Sequence, residues 1–192
     1  MTTDEADRRL AAPGELEFVR DFVNTRDLEK GTDRIDAPEK LSSWLAEQGL
    51  PVGARRLSED DVARARGLRE ALRAFLLVNA GFPPVPESVE AFNAAARWAR
   101  LGVRAAEGGR IALIPAGEDL DRAIGHLLAA VFAAHENGTW SRLKACAGCQ
   151  WALYDHTRNR SAAWCDPNKC GSRARSRRYR ERRRSRRLRN DS

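Results

Sequence analysis

Residues Cys146–Arg178 read CAGCQWALYDHTRNRSAAWCDPNKCGSRARSRR and hold all four cysteines of the 192-residue chain. Their spacing is Cys146-x2-Cys149, fifteen residues, then Cys165-x4-Cys170. A Cys-x2-Cys pair sits on a tight knuckle that aims both sulfurs at one ion, and a second close pair completes a tetrahedron of thiolates. Soft sulfur donors select zinc over magnesium or calcium. Four thiolates leave no position open for water, so the predicted role of the metal is structural. An iron–sulfur cluster, a redox dithiol pair or unliganded core cysteines are the alternatives. His156 lies between the pairs, but Asp155, Thr157 and Arg158 around it mark an exposed polar turn, and four cysteines already complete the shell. Trp151, Tyr154 and Trp164 either stack on bases or build the core of the module. The second is favoured because so short a segment has few other apolar groups to cover its metal.

Beyond Cys170 the sequence is Gly171-Ser172-Arg173-Ala174-Arg175-Ser176-Arg177-Arg178-Tyr179-Arg180-Glu181-Arg182-Arg183-Arg184, and it stays basic to Arg189. No Pro or Gly follows Gly171, arginine is a good helix former, and Ser172 is placed to cap a helix anchored at Cys170. The chain carries a net charge of +7. From Ser141 onward there are 16 Lys and Arg against 4 Asp and Glu, or +12, while the first 140 residues have 18 against 23, or −5. A basic tail on an acidic body points to a polyanionic partner. Arginine suits phosphate contacts and bidentate reading of guanine. The candidate nucleic-acid contacts are therefore Arg158, Arg160, Arg173, Arg175, Arg177, Arg178, Arg180, Arg182, Arg183 and Arg184. A membrane tether is disfavoured, since only Ala174, Tyr179 and Leu188 offer apolar surface. No run approaches the roughly 18 apolar residues of a membrane span, and Met1–Leu10 lacks the apolar region of a signal peptide, which predicts a cytoplasmic protein. Reduced thiols are expected there, which again favours metal over disulfides.

Toward the N-terminus the pattern is helical. Leu16, Phe18, Val19, Phe22 and Val23 line one side of a first helix. Asp36-Ala37-Pro38-Glu39 starts a second helix that closes at Gly49. Ser58-Glu59-Asp60-Asp61 is a capping box for the longest, with Val62, Ala65, Leu68, Leu72, Phe75 and Leu76 as its stripe. Further helices are predicted over Ser88–Ala99 and Asp119–His135, the latter through Leu120, Ile124, Leu127, Leu128, Val131 and Phe132. Between them Val103–Ile114, turning at Glu107-Gly108-Gly109-Arg110, reads as a β-hairpin. The expected fold is α+β: a mainly helical N-terminal domain with a short hairpin over residues 13–140, then a small zinc module built on two cysteine pairs with a basic C-terminal helix over residues 143–189. His126 and His135 lie on the last of these helices without a ligand partner at metal spacing, and no catalytic base is apparent.

The run Cys146-x2-Cys149, Tyr154-Asp155-x-Thr157-Arg158-Asn159-Arg160-Ser161, Trp164-Cys165 and Cys170-Gly171-Ser172-Arg173-Ala174-x-Ser176-Arg177-Arg178 resembles the bacterial CGNR zinc finger. The front part, with Asp21-Phe22-Val23-Asn24-Thr25, resembles the ABATE domain that precedes that finger. The resemblance implies a stress-induced transcription regulator that binds DNA at the nucleoid and is not an enzyme, with RNA or ribosome binding as the alternative. Ser172 stands where the finger usually has Asn, so it either caps the helix or reads a base. The resemblance also implies that the front domain senses a signal or sets assembly, a homodimer included. Asp21, Asn24 and Thr25 are candidates for a small-molecule effector pocket, or else cap the first helix and pair with Arg26.

Overall fold

In the computed structural model, residues 9–53, 56–105, 107–109 and 111–190 are described, with side chains as far as Ser185. Most of the Met1–Leu10 segment, Arg110 of the hairpin turn and the outermost arginine side chains lie outside the described residues. Helix α1 (Leu16–Val23) buries Leu16, Val19, Phe22 and Val23 at helical spacing, while Phe18 stacks on Trp44 with ring centroids 5.5 Å apart. Helix α2 (Pro38–Glu47) has Pro38 in its first turn and buries Leu41, Trp44 and Leu45. Helix α3 (Glu59–Asn79) opens on the expected capping box. The Ser58 hydroxyl accepts from the Asp61 N–H at 3.3 Å, and the Asp61 carboxylate accepts from the Ser58 N–H at 2.9 Å. Its buried stripe, Val62, Ala65, Leu68, Leu72 and Leu76, forms the spine of the molecule.

Helix α4 (Pro86–Ala96) packs along α3, with Phe92 against Phe75. It ends three residues before the predicted Ala99 because Arg100 already enters a strand. Strands β3 (Arg100–Ala105) and β4 (Ile111–Ala116) form the predicted hairpin, longer at both ends than its apolar residues suggested. The hairpin lies on α5 (Asp119–Glu136). Contact is close because residue 125 is Gly: a Cβ there would stand 3.2 Å from Pro115 Cβ and 3.4 Å from the Arg100 carbonyl oxygen. Phe132, predicted in the buried stripe of α5, is half exposed, and Ala123, Ala130 and Ala134 are buried in addition to the expected Leu and Ile.

Two short strand pairs position the cysteine region. Strands β1 (Arg26–Asp27) and β2 (Thr32–Asp33) make a small turn after α1 that the sequence did not announce. Strands β5 (Leu143–Ala145) and β6 (Ala152–Tyr154) pair antiparallel, and all six residues are buried. Leu143, Ala145, Ala152 and Tyr154 belong to the same core as Leu16, Leu72 and Ile124. Leu153 instead joins Cys146 and Cys170 in a second cluster with Leu10, Trp151, Ala162 and Trp164 packed around it. The period-2 alternation of a strand thus faces one side to the helices and the other to the metal site. The main core runs across residues 140–143, since Trp140 and Leu143 both belong to it. A one-turn π-helix, Pro167–Gly171, then runs directly into α6 (Ser172–Asn190). The fold is the expected mainly helical α+β body with a zinc-binding module, and no helix among the described residues is long and apolar enough to cross a membrane.

Candidate metal centre and basic helix

The four cysteine sulfurs lie within 4.8 Å of one another. Cys149 and Cys165 are 3.4 Å apart and Cys165 and Cys170 are 3.7 Å apart, sulfur to sulfur. A tetrahedron with zinc–sulfur bonds of about 2.3 Å has edges of about 3.8 Å, so the cage has the dimensions of a zinc site. The four sulfurs also perturb one another strongly. Hydrogen bonds from Cys149 and Cys165 hold the Cys146 thiol far below its ordinary range. Hydrogen bonding with that same sulfur pushes Cys149 up to about 12 and raises Cys165 as well. Four sulfurs this close share charge and protons among themselves, and a divalent ion lets all four be thiolates at once. The Gly148 N–H donates to Cys146 Sγ at 3.4 Å, the usual support of a knuckle sulfur. A Cβ at Gly148 would stand 3.2 Å from Cys170 Cβ, and one at Gly171 would stand 3.3 Å from the Trp164 ring. Both motif glycines are therefore explained by packing: Trp164 lies across them as the lid of the cage. Trp151 and Trp164 pack in the small cluster and Tyr154 in the main core, the core role favoured from sequence. His156 stays outside the cage, its Nε2 2.8 Å from the Ala11 carbonyl oxygen and its ring edge-on to Tyr154.

Between the cysteine pairs the chain folds around Asp155, which sequence reading passed over as part of a polar turn. Its carboxylate is fully buried and accepts from Lys144 Nζ at 2.7 Å, from the Thr157 N–H and hydroxyl at 2.9 and 2.6 Å, and from the Ala162 N–H at 2.9 Å. Burial alone would raise the Asp155 pKa; these donors outweigh it and hold the value at about 2. Lys144 also donates to the Arg160 carbonyl oxygen, and Arg142 to those of Asp155 and Thr157. This network shapes the loop that carries Arg158 and Arg160. Arg158 is exposed, whereas Arg160 donates to the Ser141 hydroxyl at 3.0 Å.

The start of the basic helix differs from expectation. Asp166, not Ser172, is the cap: its carboxylate accepts from the N–H groups of Asn168 and Lys169 at 2.8 and 3.2 Å, with Pro167 in the first turn. Ser172 has helical dihedrals (φ −64°, ψ −43°), because the metal ligand Cys170 already lies within the helical run. The ligand and the arginines thus share one continuous helical run. Arg175, Arg177, Arg178, Arg180, Arg182, Arg183 and Arg184 are all exposed. Arg175 reaches the Pro167 carbonyl oxygen at 3.4 Å and Arg183 lies over the Tyr179 ring; the other five make no hydrogen bond or ion pair with described residues. Arg173 is different, since it meets Glu29 from the β1–β2 turn.

Of the candidate pocket residues, Asn24 takes the alternative expected of it, at the end of the first helix. Asn24 caps the C-terminus of α1 with its backbone, and its carboxamide pairs with the edge of β6. Nδ2 donates to the Ala152 carbonyl oxygen at 3.0 Å, and Oδ1 accepts from the Ala152 N–H at 2.7 Å. The Thr25 hydroxyl donates to the Phe22 carbonyl oxygen and accepts from Arg69. Asp21 pairs with the buried Arg20. Asn24 and Thr25 are both buried and hydrogen-bonded. Arg73 of α3 adds a second tie, donating to the carbonyl oxygens of Val23 and, behind the cysteine knuckle, Gln150 at 2.7 and 2.8 Å. Neither Asn24 nor Arg73 carries a sequence signal of this role, because it depends on residues more than seventy positions away.

A closed thiolate cage on a β-hairpin, with a basic helix growing from its last ligand, defines a zinc-finger module mounted on a helical body. Residues 142–183 match the CGNR zinc finger, and residues 16–147 match the ABATE family, described as "putative stress-induced transcription regulator". The chain belongs to the ABATE family and carries a CGNR finger that binds zinc through Cys146, Cys149, Cys165 and Cys170. These are regulator and zinc-finger families, not enzyme families. No curated protein matches the chain.

Proposed function

We propose that this chain is a DNA-binding transcription regulator and not an enzyme, in which zinc fixes the arginine-rich helix α6 and the helical body senses a signal or mediates assembly. The observation that carries the reading is that Cys170 lies in the same helical run as the exposed arginines. The metal therefore sets the direction in which the charge projects. Arg177, Arg178, Arg180, Arg182 and Arg184 have no partner among the described residues and are available to phosphates and base edges. The loop shaped by Asp155 adds Arg158 and Arg160 as backbone contacts. The acidic body opposes indiscriminate coating of nucleic acid, which suits a protein acting at the nucleoid in the cytoplasm.

Binding of the zinc-loaded protein to labelled duplex DNA, measured against salt, tests this. Several phosphate contacts make log affinity fall linearly with log salt, at about 0.9 per phosphate neutralised. Weak binding that ignores salt overturns the proposal. Competition with structured RNA separates DNA from RNA recognition: preference for RNA means an RNA-binding protein on the same scaffold.

A further inference from the structure

We propose that Lys169 and Arg173 form a phosphate site at the head of the basic helix, which Glu29 fills in the free protein and vacates when nucleic acid binds. This rests on the reading of α6 as the nucleic-acid element and adds a site and a means of regulation to it. Lys169 and Arg173 stand one helical turn apart, about half exposed, with side-chain exposures of 55% and 52%. The Glu29 carboxylate spans them, Oε1 to Arg173 Nη1 at 2.5 Å and Oε2 to Lys169 Nζ at 3.4 Å. One oxygen on each cation is also how two non-bridging oxygens of a phosphodiester are held. The carboxylate between them shows that the two cations stand close enough to share one oxyanion.

Glu29 is presented by a built turn. The Asp27 carboxylate accepts from the N–H groups of Glu29 and Lys30 at 2.9 and 3.0 Å, and Gly31 (φ 70°) closes the bend. Behind it Asp33 is gripped by both Nη atoms of the buried Arg69 at 2.7 and 2.8 Å. Among the described residues, this is where an acid of the body meets bases of the finger helix. The pair is open to water, so it is weak enough to exchange, and a duplex offers a far denser array of anionic oxygens. Binding and release of the turn are therefore linked, and linkage is reciprocal: a signal that moves the β1–β2 turn changes affinity for nucleic acid.

The test uses full-length, zinc-loaded protein and fluorescence anisotropy with a labelled duplex of arbitrary sequence. Glu29→Gln is compared with Glu47→Gln, which removes the same charge from α2, where Glu47 pairs with Arg34. Glu29→Gln is expected to bind about 3- to 5-fold tighter at low salt, with the gain vanishing as salt screens the competing pair. Glu47→Gln should stay close to wild type, and a Lys169→Gln/Arg173→Gln background should erase the gain. The proposal is overturned if Glu29→Gln behaves as Glu47→Gln, if it binds more weakly, or if its gain survives in the double-substituted background. If wild type binds no duplex even at low salt, the reading of α6 fails and takes this site with it, an outcome distinct from binding that ignores Glu29.

Discussion

Asn24 joins the body to the finger, and replacing it with alanine measures how much that join is worth. The carboxamide supplies Ala152 with both an acceptor and a donor, at 2.7 and 3.0 Å. Ala152 itself is fully buried, so both its backbone groups lose their partners in Asn24→Ala. A buried group left unsatisfied costs about 1–3 kcal/mol. Two such groups, partly relieved by water entering the space left by the side chain, give about 2–4 kcal/mol, a large share of the roughly 5–15 kcal/mol that holds a domain folded. Asn24→Asp should do no better: it keeps an acceptor for the Ala152 N–H but sets a carboxylate oxygen against the Ala152 carbonyl. Urea unfolding of the zinc-loaded protein, followed by far-UV circular dichroism and by tryptophan fluorescence, reads the change. The two probes should move together, because β6 lies in the core shared with α1, α3 and α5. A loss below about 0.5 kcal/mol, the ordinary size of a neutral surface change, would refute the assignment of Asn24 as the joint.

Three further outcomes follow from the site. Lys144→Met strands the fully buried Asp155 without its cation, which should cost about 3–5 kcal/mol in urea unfolding; adding Asp155→Asn should recover part of it, and an additive double variant would contradict the pairing. Chelation of zinc, or Cys165→Ser, should release Trp164 and α6, changing tryptophan fluorescence while helices α1–α5 and the β5–β6 hairpin persist; loss of all helix would mean that the body depends on the metal. Arg178→Ala should lower the slope of log affinity against log salt by about 0.9 if that side chain meets a phosphate, and leave the slope unchanged if it does not.

The features legible in the sequence share one property: their causes are local. The capping box at Ser58 and Asp61, Pro38 in a first turn, the Gly108-Gly109 bend and the Cys-x2-Cys knuckle each act over a few residues, and each was found in place. The zinc site spans more chain but has its own spacing code. The start of α6 was misread although its cause is equally local, because two start signals stand six residues apart. Ser172 looked like a cap because it follows a glycine and precedes an unbroken arginine run, yet the helical run begins at Asp166, where Asp-Pro is an equally good start signal. That shift removes the capping role from Ser172 and leaves it inside the helix, half-buried, with no side-chain hydrogen bond to described residues. The roles of Asn24, Arg73, Lys144, Asp155 and Glu29 were illegible because each depends on a partner brought close by the fold.

Those long-range ties also bear on where one unit ends and the next begins. The two family matches overlap at residues 142–147, which is β5 and the first zinc ligand. The strand packs against α3, leads directly into Cys146 and pairs with β6, whose Leu153 joins the metal cluster, so the hairpin belongs physically to both units. The finger cannot be cut away at residue 143 without exposing Leu143, Ala145, Ala152 and Tyr154, nor the body without losing the strand pair that caps its core. The hairpin contributes residues to the body core and to the metal cluster, while the Glu29 turn touches the finger from a second direction. Buried ties at Asn24 and Arg73 and an exposed ion pair at Glu29 join the body to the finger, and under the proposal above a signal received by the body would act on the basic helix through the exposed pair.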